Sequence, residues 1–202
     1  MILYGSMTSP FVRTVRIAAI ELGLGARIEL TMTVVKPTQP NRDYGTAVNP
    51  LRRVPALETD DGDVIVDSRV IVEYLNGLAD GPLIPKDAGA RIDCLNRHAI
   101  VSGATEALVS AMYEMKLRPE ERRWKDWADD QIDKAEAVFA WADANIAEFG
   151  AFDLSAIALV CLLDYTAFRF AHIAWLKKLP AVAAFANEAT KRASVRDTAP
   201  RE

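Results

Sequence analysis

The sequence predicts an α/β domain in the order βαβ-ββα followed by an all-α helical bundle domain, and three observations carry that prediction. Up to about residue 80, short apolar or alternating runs take turns with stretches of helical spacing. The run Asp80-Gly81-Pro82-Leu83-Ile84-Pro85 then interrupts the pattern as a linker. Beyond it the apolar residues step by three and four with no strand signal. The domains therefore lie at residues 1–79 and 87–202, joined by a linker at 80–86. A chain of 202 residues that is 50% hydrophobic and 26% charged can bury a substantial core in such an arrangement.

The first strand is the short apolar run Ile2 to Gly5. Ser9 followed by Pro10 reads as a helix N-cap with proline at the first helical position, where its missing N–H costs nothing. Val12, Val15, Ala19 and Leu22 continue with helical spacing until Gly23 and Gly25 stop the helix. Residues 27–34 alternate, placing Ile28, Leu30, Met32 and Val34 on one face of a second strand. A loop through Pro37, Pro40, Gly45 and Pro50 follows. Residues 54–58 and 64–67 flank Thr59-Asp60-Asp61-Gly62-Asp63, whose Asp-Gly step signals a hairpin. Ser68 then reads as the N-cap of a helix carrying Ile71, Tyr74, Leu75 and Leu78.

In the helical part, Ala128, Ile132, Ala135, Phe139, Ala142, Ile146 and Phe149 form one packed face, which Trp124 and Trp127 extend. Residues 154–175 are apolar on nearly all sides and are expected to be the central buried helix, while Asp164 and Arg169 speak against a membrane span. Pro119 suits a first helical turn, and Pro180 separates the last two helices.

Several function classes fall away. The net charge is −4 and the arginines are scattered apart from the pairs Arg13/Arg16 and Arg52/Arg53, so no nucleic-acid partner is expected. The first two of these read as a solvated face. The start of the chain lacks a basic leader and a long apolar stretch, so a cytoplasmic protein without a membrane anchor is expected. Cys94 and Cys161 lie in apolar helical patterns as buried, inert thiols. His98 and His172 are far apart and lack ligand spacing, so no metal site is expected.

Three stretches carry chemistry. In Ser6-Met7-Thr8-Ser9-Pro10-Phe11, three hydroxyls precede a helix whose N-terminus offers unpaired N–H groups and the positive end of the helix dipole. Such a place favours an anion, and a thiol with an ordinary pKa of about 8.5 ionises more readily beside a donor. In Arg52-Arg53-Val54-Pro55-Ala56-Leu57, proline deprives a strand of a donor, so Val54-Pro55 belongs at an edge or bend. Either isomer fits there, and an edge at Val54 leaves backbone groups free to pair with an extended peptide. The third, Asp67-Ser68, puts a carboxylate and a hydroxyl at another helix start, suited to an ammonium and a carboxylate. Helix capping and turn formation alone also account for each stretch taken singly.

Together and in this order they resemble the cytosolic glutathione S-transferases across essentially the whole chain, closest to bacterial members of the serine or cysteine type. The resemblance implies a thioredoxin-like first domain. Ser9-Pro10-Phe11-Val12 falls where related redox proteins carry Cys-Pro-aromatic-Cys, here without either cysteine. It further implies that Ser9 donates to the glutathione sulfur with Phe11 close by, that Val54 beside Pro55 pairs with the cysteinyl unit, and that Asp67 and Ser68 hold the γ-glutamyl end. Arg53 would face the glycyl carboxylate, and a basic pair in an acidic protein attracts an anionic tripeptide. Ser6 and Thr8 remain alternative donors, Thr8 the nearest substitute for Ser9; Tyr4, within the first strand, reads as packing.

An electrophile site of Thr8, Ser102, Thr105, Glu106, Val109 and Tyr113, a homodimer, glutathione as co-substrate and no metal complete the implied picture. Its activity is glutathione conjugation to a hydrophobic electrophile, with glutathione-dependent isomerisation or dehalogenation and a non-catalytic regulatory role as alternatives. One departure stands out. The family's Ser/Thr-x-x-Asp capping box at the buried helix is here Asp153-Leu154-Ser155-Ala156, which keeps an N-cap and lacks the reciprocal acid.

Overall fold

Strand β1 (Ile2–Gly5) buries Leu3 completely, and α1 (Pro10–Glu21) packs across it so closely that a Cβ on Gly5 would meet both Val12 methyls at 2.6 Å. Only glycine lets the helix start this near the strand. The computed structural model describes residues 1–202, the side chains of Leu176 and Lys177 excepted. Strand β2 (Glu29–Met32) follows, then α2 (Arg42–Ala47), β3 (Ala56–Glu58), β4 (Val64–Ile65) and α3 (Ser68–Leu78). The sheet order is β2-β1-β3-β4. β1 runs parallel to β2 (Ile2 opposite Glu29) and antiparallel to β3 (Tyr4 opposite Ala56), and β3 is antiparallel to β4 (Leu57 opposite Ile65). With α1 and α3 packed together, this is the mixed thioredoxin-like arrangement expected.

Several details differ from the sequence expectation. The alternation in residues 27–34 does not bury one face: β2, the outermost strand, spans only Glu29–Met32, with Met32 59% exposed at its end and Val34, beyond the strand, 53% exposed. The loop before β3 contains α2, with Asn41 as N-cap accepting the Tyr44 N–H at 3.1 Å. Gly45 and the flanking prolines disguised this six-residue helix. The hairpin forms around Gly62 at φ +89°, but β3 begins only at Ala56 and β4 ends at Ile65. Asp67, not Ser68, is the N-cap of α3, and Ser68 is its first helical residue.

The chain divides into two compact units, residues 1–86 with 193–202, and residues 87–192. The sequence reading placed 193–202 with the helical domain; instead α8 (Ala193–Asp197) packs on α1. Arg13 is therefore no solvated side chain. It is 2% exposed and donates to the Val195 carbonyl at 3.1 Å and to Thr198 Oγ1 at 3.3 Å.

The second unit is built on α4 (Ala88–Lys116), which packs against α5 (Lys125–Ala144) and α6 (Leu154–Arg169), with α7 (Pro180–Ala189) beside α5. α6 is buried on nearly all sides, as its composition predicts, though it stops at Arg169 rather than continuing to residue 175. Ala128, Ala135, Phe139 and Ala142 do form the buried face of α5. Phe149 reaches the same core from a separate 3-10 turn, Ile146–Phe149. Trp124 does not extend that face: it is 65% exposed. Pro119 precedes a 3-10 turn and Pro180 opens α7.

The capping box lacks its acid, and a different contact, from another helix, holds the start of α6. Asp153 Oδ1 accepts the Ser155 and Ala156 N–H groups at 2.9 and 3.1 Å, while its Oδ2 accepts from Arg97 Nη2 at 3.2 Å. Arg97 Nε also donates to Ser155 Oγ at 3.2 Å, so α4 clamps the start of α6. Both cysteines are buried thiols outside any disulfide, and burial pushes the Cys94 thiol up to about 11. Among the described residues no helix is long and apolar enough to cross a membrane.

Candidate functional site

The register of the sheet decides where the three candidate stretches go. β1 leads out of the sheet at Gly5 toward Ser9, and because β3 is antiparallel to it, Val54-Pro55 enters β3 at that same end. β4 is antiparallel to β3, so it too exits there, toward Asp67. Ser6 to Ser9, Val54-Pro55 and Asp67-Ser68 thus emerge from one end of the sheet, each beside a helix start or a strand end.

Ser9 caps α1 as expected, its Oγ accepting the Val12 N–H at 3.3 Å. A hydroxyl used as an acceptor still has its proton to donate, and no described residue takes that proton. Ser6 and Thr8 are paired with each other, Oγ to Oγ1 at 3.3 Å. Tyr4 donates to Glu58 Oε2 at 2.7 Å, and this bond, with burial and the Glu58 charge, raises its pKa. That agrees with the packing role, as does its ring contact with Tyr44 at 5.8 Å between centroids. Phe11 is half-buried one residue beyond Pro10.

The Val54–Pro55 bond is cis, and so is Val66–Asp67. Sequence reasoning missed what holds the first of these segments. The Arg53 carbonyl accepts both Tyr44 Oη and Asn49 Nδ2 at 2.8 Å. Asn49 is only 2% exposed and its Oδ1 accepts the Leu51 N–H at 3.0 Å, so it ties the whole turn together. Burial pushes the Tyr44 hydroxyl up to about 12. With the preceding carbonyl pinned inward, the Val54 N–H and C=O have no partner among the described residues. The Arg53 side chain is exposed. The only sequence signal for this device was the polar Asn49 ahead of Pro50.

At α3, Asp67 Oδ1 accepts the Arg69 and Val70 N–H groups at 3.0 and 3.3 Å. One oxygen does the capping, and Oδ2 accepts no hydrogen bond from a described residue. Ser68 is 5% exposed, at the positive end of the helix dipole.

The remaining residues singled out in the sequence lie on α4 of the second unit. Ser102 and Tyr113 are half-buried and Glu106 is exposed. Val109 packs against the helical core. Thr105 is 3% exposed and spends its hydroxyl on the Val101 carbonyl at 3.0 Å.

This sheet end offers a free hydroxyl proton at a helix N-terminus, an unpaired backbone edge and a carboxylate beside a second helix N-terminus. A family model for the glutathione S-transferase N-terminal domain matches residues 3–83. A solved glutathione transferase family member from Pseudomonas fluorescens Pf-5, with bound glutathione, is 37% identical over 100% of this chain and 99% of its own, with a TM-score of 0.95. The chain belongs to the glutathione transferase family. A second structure of a family member from the same organism, holding S-(propanoic acid)-glutathione, is 36% identical over the full length of both chains, with a TM-score of 0.91. Among curated proteins, the uncharacterized GST-like protein YibF of Escherichia coli (strain K12) is 27% identical, covering 99% of this chain and 98% of that one. The first unit spans every residue of the family-model match.

Proposed function

We propose that this glutathione transferase binds glutathione at the sheet end of its first unit, holds the sulfur as a thiolate with Ser9, and conjugates it to a hydrophobic electrophile. The observation that carries this reading is the Ser9 hydroxyl, which accepts from Val12 and keeps its own proton to give. Ser6 and Thr8 share one hydrogen bond between their hydroxyls, so one of the two also keeps a proton to give, and Thr8 is the alternative donor. The ligand's extended cysteinyl backbone pairs with Val54, its γ-glutamyl ammonium sits at Asp67 Oδ2, and the adjoining carboxylate takes the Ser68 hydroxyl and the α3 dipole. Arg53 faces the glycyl carboxylate. The bound forms of the Pseudomonas relatives, glutathione and its S-propanoic acid thioether, support a tripeptide site that tolerates a substituted sulfur.

The sulfur gives its proton to solvent, accepts the Ser9 O–H bond, and its lone pair forms a C–S bond to the electrophilic carbon as a leaving group departs or a double bond takes up the electrons. A hydrogen bond to a charged group contributes about 1.5–3 kcal/mol, which lowers a thiol pKa by roughly one to two units. Ser102, Thr105, Glu106, Val109 and Tyr113 are the proposed electrophile contacts, Thr105 through its methyl because its hydroxyl is engaged. A homodimer acting in the cytoplasm belongs to the same proposal. Leu51 and Ile92, 69% and 64% exposed, are apolar surface that a second copy would cover.

The test is a pH titration of the bound glutathione thiol by its thiolate absorbance. The parent protein is expected to show a pKa below the ordinary value of about 8.5. Ser9→Ala should restore it while costing about 1 kcal/mol of stability as the cap is lost. Ser9→Asp keeps a capping oxygen but sets a negative charge against the sulfur, so its stability should hold while the thiol pKa rises past that of Ser9→Ala. An unshifted thiol in the parent protein would overturn the thiolate mechanism. Whether glutathione is consumed or recovered distinguishes conjugation from isomerisation.

A further inference from the structure

Of the two arginines on α1, Arg13 is buried under residues 193–202, whereas Arg16 is only half-buried. Arg16 stands two turns beyond Ser9, so the two residues share a helix face about 10 Å apart along the axis. Helical side chains lean toward the N-terminus, and Arg16 does so: its Nη1 donates to Met7 Sδ at 3.1 Å. Met7 belongs to the tight turn that the Ser9 N–H closes on the Ser6 carbonyl at 3.3 Å. The guanidinium therefore ends beside the turn that presents Ser9.

Its charge is unanswered there. Besides the thioether of Met7, a weak acceptor, Arg16 reaches only the Asp197 carbonyl at a long 3.5 Å, and it forms no ion pair with a described residue. The acid of α1, Glu21, lies at the far end of the helix and accepts from Ser194 Oγ. The charges that act most on Arg16 are of its own sign: after burial itself, Arg201 and Arg13 lower its pKa. A half-buried guanidinium has given up part of its hydration, and a thioether does not replace it. An oxyanion on the guanidinium fork does. Arg201 is exposed and has no side-chain partner among the described residues, so it can add a second donor.

Placement beside Ser9 gives this charge a use. An electrophile bearing a carboxylate would meet the glutathione thiolate as one anion meets another, and an ionised carboxylate draws electrons from the reacting carbon poorly. A guanidinium on that carboxylate offsets both effects. Conjugation fixes the carboxyl carbon of an unsaturated acid two bonds from the reacting carbon, which keeps it close to the sulfur and so to the Ser6–Ser9 turn.

We infer that Arg16, with Arg201 beside it, determines specificity on the electrophile side by taking the carboxylate of an aliphatic α,β-unsaturated carboxylic acid. The inference rests on glutathione binding with its sulfur at Ser9, and it narrows the hydrophobic electrophile of that reading to one whose apolar chain ends in a carboxylate. In the reaction the sulfur lone pair forms the C–S bond at the β-carbon. The C=C pair shifts to the α-carbon, which takes a proton from solvent, and no group leaves.

The test is isothermal titration with S-(2-carboxyethyl)glutathione and its carboxamide, S-(2-carbamoylethyl)glutathione, which differ only in the group meant for Arg16. The parent protein should bind the carboxylate at least about tenfold more tightly, the effect of one charge-assisted contact. Arg16→Gln should bring the two Kd values within about twofold of each other, and Arg16→Lys should keep part of the preference. Arg201→Gln, at an exposed side chain, should lower the preference less than Arg16→Gln does. With acrylate and acrylamide as electrophiles, the ratio of the two kcat/KM values should follow the same order. Equal affinities in the parent, or an undiminished preference in a folded Arg16→Gln protein, would overturn this assignment while leaving glutathione binding intact. Binding of glutathione but of neither thioether would do the same. If glutathione itself does not bind, the underlying reading and this one fall together.

Discussion

Replacing Asp67 by asparagine separates the structural duty of that side chain from its proposed ligand duty. Its Oδ1 accepts two N–H groups of α3, from Arg69 at 3.0 Å and Val70 at 3.3 Å, and Asn caps helices about as well as Asp. Stability should therefore change by less than about 0.5 kcal/mol, whereas Asp67→Ala should lose about 1 kcal/mol with the cap. The other oxygen, proposed to hold the γ-glutamyl ammonium, becomes a neutral amide nitrogen that repels it. A charge-assisted hydrogen bond is worth about 1.5–3 kcal/mol, and the exposure of Asp67 puts the expected loss at the lower end, about tenfold in Kd. Isothermal titration with glutathione and with its deamino analogue closes the cycle: the analogue should bind the parent and Asp67→Asn alike, since neither retains the ion pair. The glutathione difference should shrink in high salt. A loss below twofold for glutathione, or the same loss for both ligands, would refute the assignment of Oδ2 to the ammonium.

Arg97→Ala removes the support of Asp153 from a site where the two side chains are only 14% and 4% exposed. The expected cost is about 2–4 kcal/mol by urea denaturation, somewhat under the penalty for orphaning a fully buried charge, and Asp153→Asn should not add to it in the double variant. Tyr44→Phe deletes one of two donors on the Arg53 carbonyl and should cost about 1 kcal/mol of stability and a few-fold in glutathione affinity. Asn49→Ala should do more, since it also frees the Leu51 N–H. The Cys94 thiol, raised to about 11 by burial, stays protonated in the folded protein after its unfolded counterpart ionises near 8.5. The unfolded state then holds fewer protons, so this contribution to stability is complete below about pH 8.5 and is lost as pH rises to about 11. In native buffer Cys94 should resist thiol reagents, and Cys94→Ala should flatten the alkaline limb of the stability profile.

Local chemistry was legible in the chain wherever a feature depends on neighbours a few residues away. Ser9-Pro10 announces a capped helix, Asp61-Gly62 a hairpin, the spacing of Ala128 to Ala142 a buried face, and the apolar run after Asp153 a central helix. Those signals were enough for the thioredoxin-like and helical halves and for the three candidate stretches. What they lacked was the partner at long range. Alternation in residues 27–34 looks the same at a sheet's edge as in its middle, and only the tertiary structure ends the outermost strand at Met32 and leaves Val34 exposed beyond it. Arg13 looked like surface until residues 193–202 returned to α1 and covered it. The acid absent at residue 156 is a lost acceptor, and nothing in the sequence signals that α4 braces the Asp153 carboxylate with Arg97. Likewise Ser9, Val54 and Asp67 were visible one by one, but their emergence from one end of the sheet follows from strand direction and register. A residue's preference for a cap, a turn or a face comes from its own sterics and hydrogen-bonding groups, so sequence by itself determined those. Which distant group meets it depends on how the chain comes back, and tertiary structure alone decided that.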